Sequence, residues 1–363
     1  MSTLLTAEQE ARASRLRVDS LVVDALNTPY SPLVPDFAAF LGHVREGGVD
    51  ALHVTLHERH ADGWGWESVI RALSVWTDRC HRHHESIHLA TQVGHIRQSR
   101  DERRLALLCG LQNAECIETD LDRLQTLFQL GVRIVQLTYN GRNQVADGCR
   151  ETADQGLSAF GGEAVRRMNE LGLVVDLSHC SPKSTIDAVR LSQAPVTATH
   201  VGAHALYPHP RNKTDDELRA VADSGGMVGV IGVPLFLRRE GPDSIDDMLD
   251  HLAHIAGIVG INHIGIGHDN FVHPDASHFR TNDRIGFATG TSGLEDLMPA
   301  ESLPSADRWA QYHLARLEGF DGIAGWPNLT RGLVARGYAD AEIEGILGGN
   351  WLRFLAPFWD DSL

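Results

Sequence analysis

The sequence predicts a (β/α)8 barrel of the TIM type, in the α/β class, with additional C-terminal helices. Three observations carry that prediction. Eight short, nearly continuous apolar runs alternate with longer stretches whose apolar residues recur at helical spacing. Strands apolar along their whole length belong to parallel sheets covered by helices on the outside. Many of the helical stretches stop at a glycine just before the next run, at Gly131, Gly172, Gly225 and Gly260, as a C-cap requires. No glycine-rich phosphate loop follows the first run, which weighs against an open, doubly wound nucleotide-binding sheet.

In chain order, the polar opening MSTLLTAEQEARASRLR reads as a short helix. The runs expected as barrel strands are Leu21–Ala25, Ala51–Leu56, Ala106–Leu111, Arg133–Thr138, Leu173–Ser178, Pro195–Thr199, Met227–Ile231 and His263–Gly267. A further run, Ile87–Gln92, reads as a strand outside the barrel. LDRLQTLFQLGV, FGGEAVRRMNELGL, TDDELRAVADSGG and SIDDMLDHLAHIAGIVG carry the helical pattern between strands. No linker or low-complexity tract divides the chain, so residues 1–363 are expected to form one domain. Past Asp269, the segment VHPDASHFRTNDRIGFATGTSG is long enough to serve as a lid or interface loop.

Composition narrows the function. With 32 basic and 48 acidic residues the net charge is −16, and no Lys/Arg-rich run appears, which excludes a nucleic-acid backbone as the expected partner. The 5 cysteines are an odd number with no CxxC pair, and Cys109, in an apolar run, is expected as a reduced, buried thiol. No run of 18 apolar residues offers a membrane span, and the opening lacks a signal-peptide core, so a cytoplasmic enzyme is expected.

The chemistry gathers at the strand ends. Leu26-Asn27-Thr28, His57, Gln112-Asn113, Tyr139-Asn140, His179, His200 and His268-Asp269 stand at or just past apolar runs, and His53 lies within the second. Active sites of parallel barrels sit at that end of the strands. His179 and His200, from adjacent strands, suit a borderline cation such as zinc, or direct substrate contact; the bland reading is two histidines bonded to loops. Asp269 is read as a metal ligand or general base, and otherwise as an N-cap. Arg211 suits a substrate carboxylate or an oxyanion, and otherwise an inter-loop salt bridge. His53 reads as a substrate contact, a replacement ligand or core. His81, His83 and His84 fall on a charged helix and are expected in solvent, as are His251 and His254, whose HxxH spacing lacks the glutamate of a zinc motif.

The stretches LGVRIVQLTYNGRN, GLSAFGGEAVRRMNELGLVVDLSH, APVTATH, HPRNKTDDELRAV, HIAGIVGINHIGIGHDNF and LVARGYADAEIEGILGGNWLRF resemble the renal or membrane dipeptidase family, peptidase family M19. The resemblance spans nearly the whole chain, from VVDALN to ILGGNWLR. It implies a metal-dependent barrel that hydrolyses small dipeptides at a two-zinc centre. Position by position, it implies that His179 and His200 are the histidines of the second metal site, Arg211 the arginine on the substrate, and Asp269 the aspartate after the last strand.

Four departures from the family pattern stand out, one of them a pair of positions. Leu26 and Thr28 stand where the first strand carries His-x-Asp, and Gln112 replaces the glutamate that bridges both metals. Tyr139 replaces a substrate-facing histidine, and HDNF lacks the second aspartate of the family's DFD run. Leucine cannot ligate, and a neutral amide does not offset the repulsion of two adjacent dications. The expectation is therefore a divergent branch with one divalent ion, zinc first, or none, rather than two. His179 and His200 would hold the ion, with Gln112 as a neutral ligand and Asp269 as a further candidate, while Tyr139, Asn140, Arg211 and His53 would meet the substrate. The expected reaction is hydrolysis of an amide bond in a dipeptide or N-acyl amino acid by a homodimeric enzyme. Two alternatives stay open: a metal-free binding or regulatory protein on a retired scaffold, and a non-hydrolytic lyase or isomerase.

Overall fold

The computed structural model describes residues 5–27, 37–56, 64–238, 244–269, 317–320 and 322–359. Thr28, His57, Asn270 and the loop expected at 272–293 lie outside the described residues. The strands are β1 (Val23–Asn27), β2 (Ala51–Thr55), β3 (Ile87–Leu89), β4 (Leu105–Leu111), β5 (Val132–Gln136), β6 (Val174–Asp176), β7 (Thr197–Val201), β8 (Met227–Val230) and β9 (Ile264–Ile266). All pair in parallel, and β2 pairs directly with β4, closing eight strands into a barrel with β3 attached outside on β4. The strand predicted outside the barrel is therefore outside it.

Local chemistry explains where the helices begin and end. Helix Ala159–Leu171 starts at Ser158, whose side chain accepts from Gly161 N, and ends at Gly172 in the left-handed region with φ 74°. Helix Asp215–Asp223 carries a capping box between Thr214 and Glu217, and Pro182 opens helix Pro182–Leu191 behind the cap Ser181. Gly131, Gly225 and Gly260 have φ of 99°, 82° and 84°, a conformation that costs glycine little. Among the described residues no helix is long and apolar enough to cross a membrane.

The barrel floor is apolar and plugged from the C-terminus of the chain. Val23, Ala51, Ala106, Ile134, Val174 and Met227 of the strands share one apolar cluster with Trp351 and Phe354 of helix Asn350–Trp359. Gly265 makes room for the plug, since a Cβ there would lie 2.3 Å from Trp351 Nε1. The β9–β1 seam has a single register pair, Asp24 with Ile266. Polar contacts reinforce it: His268 N donates to Asp24 Oδ1 at 2.8 Å, and Asp269 N donates to the Leu26 carbonyl at 2.8 Å. Burial pushes the Asp24 carboxyl up to about 7. With one end sealed, functional chemistry is confined to the opposite, C-terminal rim.

Two strands extend beyond their expected ends. β1 runs on to Asn27, which pairs with Val54, and β7 runs on to Val201, which pairs with Val230. His200 thus lies inside β7 rather than after it. The ladder is irregular between Ala198 and Val201, and this local break accompanies Thr199 and His200 both being buried at the rim.

Candidate functional site

His179 follows β6 on a short turn. Cys180 N donates to the Leu177 carbonyl at 3.1 Å, and Cys149 N donates to the His179 carbonyl at 2.7 Å, so the residue is pinned from two sides. Its ring stacks on Tyr139 with centroids 4.3 Å apart and planes at 22°, and Trp64 packs against the same tyrosine with centroids 5.3 Å apart. The Nδ1 of His179 is 2.8 Å from Asn140 Oδ1. His179 Nε2 is 3.1 Å from His200 Nε2.

His200 is fixed by a polar layer inside the barrel. Its Nδ1 is 2.8 Å from Thr199 Oγ1, and that hydroxyl is 2.6 Å from Asp176 Oδ2. Ser178 donates to Asp176 Oδ1 through both N and Oγ, at 3.0 and 2.6 Å. Gln112 Nε2 lies 3.2 Å from His200 Nε2, and Asp269 Oδ2 lies 3.9 Å from it. Gln136 steadies this side of the rim by donating to the carbonyls of Gln112 and Thr138.

Charge at the site is set by burial. Desolvation holds both imidazoles well below their usual range, and the nearby Arg211 cation lowers each further. They are therefore neutral, with lone pairs available. Asp269 is pushed up to about 7 by burial, against the pull of Arg211. Its backbone sits at φ 52°, a left-handed conformation that aspartate tolerates better than most residues.

Arg211 is wholly buried. Its Nη1 donates to the Ser178 carbonyl at 2.6 Å and its Nη2 to the His200 carbonyl at 2.7 Å, while its Nε has no partner. The side chain thus ties the two histidine-bearing segments together and keeps donor capacity in reserve.

Of the residues singled out from sequence, His179, His200, Gln112, Asp269, Tyr139, Asn140 and Arg211 come together. His53 lies beneath them inside the barrel, close enough for its charge to act on His200. Its Nδ1 bonds the Ala25 carbonyl at 2.6 Å, and its Nε2, without a partner, lies against Gly110 of β4, two residues before Gln112. His251, expected on an exposed helix face, is buried instead: Nδ1 accepts from Ala203 N at 2.8 Å and Nε2 donates to the Leu237 carbonyl at 2.9 Å. His254 is partly buried and 2.9 Å from Asp215, whereas His81, His83 and His84 are exposed as expected. All 5 cysteines are free. Asp176, Ser178 and Thr199 escaped notice, although each is a polar residue inside an otherwise apolar run.

The two imidazoles are spaced as donors to a single ion would be. Two imidazole nitrogens about 2.1 Å from one zinc at a tetrahedral angle stand about 3.4 Å apart, close to the 3.1 Å between the Nε2 atoms of His179 and His200. Among the described residues no three His, Cys, Asp or Glu side chains gather closely enough to hold an ion. Among the described residues, the nearest further side chains to His200 Nε2 are the Gln112 amide at 3.2 Å and the Asp269 carboxyl at 3.9 Å. The Leu26 side chain, fully buried beside this rim, offers no donor for a second ion.

Comparison with known proteins bears on the fold and the family. The model of the membrane dipeptidase family (peptidase family M19) matches residues 10–277. An uncharacterized dipeptidase of Schizosaccharomyces pombe is 32% identical over 261 residues, 70% of this chain and 53% of that protein. The dipeptidase tcpJ of Claviceps purpurea is 28% identical over 294 residues, 80% of this chain and 58% of that protein. The matches thus span little more than half of these two relatives. A crystal structure of an amidohydrolase from Pseudomonas aeruginosa superposes with a TM-score of 0.82 at 28% identity, over 96% of this chain and 99% of that one. The barrel, its strand-end histidines and these matches together make the chain a member of the membrane dipeptidase family, peptidase family M19.

Proposed function

We propose that this protein hydrolyses the amide bond of a dipeptide or N-acyl amino acid at a centre built for one divalent ion, zinc first. The observation that carries the reading is the convergence of two neutral Nε2 atoms at 3.1 Å, with Gln112 at 3.2 Å and Asp269 at 3.9 Å from His200. His179 and His200 would hold the ion, with the Gln112 oxygen or Asp269 completing its shell. When bound, such an ion supplies Lewis-acid polarisation and acidifies water.

The chain's own residues do the rest. Where Gln112 completes the shell, Asp269 is free to take the proton from the attacking water and return it to the leaving amine. Arg211 offers its unspent donors to the substrate carboxylate or to the oxygen that becomes negative on attack. Tyr139 presents an aromatic wall where the family carries an imidazole, which makes the pocket less basic on that side. Full-length protein supplied with zinc, cobalt or manganese should release amino acids from a panel of dipeptides and N-acyl amino acids. Activity absent from the whole panel would overturn the hydrolase reading.

A metal-free binding protein is the second reading, favoured by the absence of any three-residue His, Cys, Asp or Glu cluster among the described residues. Tight substrate-analogue binding, unchanged by a chelator and without turnover, would select it.

A further inference from the structure

Protons at the histidine pair can be assigned one hydrogen bond at a time. Asp176 accepts four hydrogen bonds, from Ser178 N, Ser178 Oγ, Thr199 N and Thr199 Oγ1, at 3.0, 2.6, 3.0 and 2.6 Å. Two of these donors are backbone N–H groups, which can only donate, so the Asp176 side chain serves this cluster as its acceptor and the single hydroxyl proton of Thr199 points at Oδ2, 2.6 Å away. Thr199 Oγ1 can then only accept from His200 Nδ1, 2.8 Å away. On the other ring, Asn140 Oδ1 is an amide oxygen without a proton, and it lies 2.8 Å from His179 Nδ1. Cys149 Sγ donates to the same oxygen at 3.6 Å, in keeping with that orientation of the amide. Both rings therefore carry their proton on Nδ1. Gln112 Nε2, a donor 3.2 Å from His200 Nε2, agrees with a lone pair there.

The outcome is unusual for two adjacent neutral imidazoles. Left to themselves, one would turn an N–H toward the other and form a hydrogen bond. We propose that Asn140 and Thr199 are positioning residues that lock His179 and His200 in the Nδ1–H tautomer, with Asp176 acting through the Thr199 hydroxyl. Two lone pairs are thereby held face to face for one electrophile. The outer partners of metal-binding histidines fix tautomer and ring orientation in this way, and their loss typically costs about 10–100-fold in metal affinity. Asn140, expected from sequence to line the substrate pocket, is assigned a different duty. The inference rests on the proposed metal centre only for what the lone pairs receive; the tautomers belong to the protein itself.

The test is multiple-bond 1H–15N NMR on full-length, chelator-treated protein with 15N-labelled histidine, which reports the tautomer of each ring. Wild type should show Nδ1–H at both His179 and His200. Asn140→Leu should release His179 alone and Thr199→Val should release His200 alone, while Asn140→Asp and Thr199→Ser keep the locked forms. Zinc titration against a competing chelator should then show about 10–100-fold weaker binding in the two released variants and near-wild-type binding in the conservative ones. An Nε2–H ring in the wild type, or folded Asn140→Leu and Thr199→Val proteins with unchanged tautomers, would overturn the proposal. Each ring has its own variants, so a failure to fold at one site leaves the other decisive. Locked tautomers with no zinc binding at all would support the lock and overturn the metal centre instead.

Discussion

The ring of His53 on β2 fills the space that a side chain at Gly110 on β4 would need. A Cβ at Gly110 would lie 2.1 Å from His53 Nε2 and 2.7 Å from the Ile134 carbonyl. Glycine is required here by close approach rather than by backbone angle. The contact brings an imidazole into the barrel directly beneath the rim that carries Gln112. Overpacking a core costs about 1–3 kcal/mol, and the backbone oxygen cannot move aside, so Gly110→Ala should lose on the order of 3 kcal/mol in urea unfolding. Adding His53→Ala should recover only the part due to the ring.

Arg211 should prove structural as well as functional. It satisfies the buried carbonyls of Ser178 and His200, and an unsatisfied buried acceptor costs about 1–3 kcal/mol. Arg211→Lys replaces a planar fork by one ammonium, whose donors radiate from a single point and cannot keep both bonds in their present geometry. The variant should unfold on the order of 2 kcal/mol more easily and show a raised KM together with a lower kcat. A KM change with unaltered stability would separate the two roles and contradict the bridging one.

Asp24 gives stability a pH dependence of known sign. Burial raises its carboxyl from the ordinary 3.8 to about 7, so the native state holds a proton that the unfolded chain releases between those values. Stability from this group is fully present below the unfolded value, falls as pH rises through the window, and levels off above about 7. At 1.36 kcal/mol per unit, the loss is on the order of a few kcal/mol. Urea midpoints should therefore decline from pH 5 to pH 8, and Asp24→Asn should flatten that decline.

Gln112→Glu should strengthen zinc binding by about tenfold or more, equivalent to about 1.4 kcal/mol, because it places an anion 3.2 Å from His200 Nε2 where the chain has a neutral amide. It should not create a second site, since Leu26 still contributes no donor. Equilibrium titration with a competing chelator measures both the affinity and the count.

The architecture was legible because it rests on local signals. Eight apolar runs and glycine caps such as Gly172 are written in the sequence, and the barrel follows from them. Strand ends were not, since β1 and β7 continue as far as their neighbours offer partners, to Asn27 and Val201. Helix faces were also opaque. His251 reads as exposed from its charged surroundings, yet docking of its helix buries it between Ala203 and Leu237. The floor plug by Trp351 joins residues far apart in sequence and has no local signature. At the rim, the histidines and Arg211 stood out because polar residues end apolar runs there. The Asp176–Thr199 pair obeys the same logic one or two residues earlier and was readable in DLSH and TATH.

Counting metal tests the central claim most directly. Full-length protein is loaded with excess zinc, dialysed, and assayed for zinc per chain by elemental analysis, alongside His179→Ala and His200→Ala. A centre built on two facing lone pairs and a neutral amide should retain one ion per chain and lose it in both variants. Two ions per chain, or one ion that survives either substitution, would contradict the account.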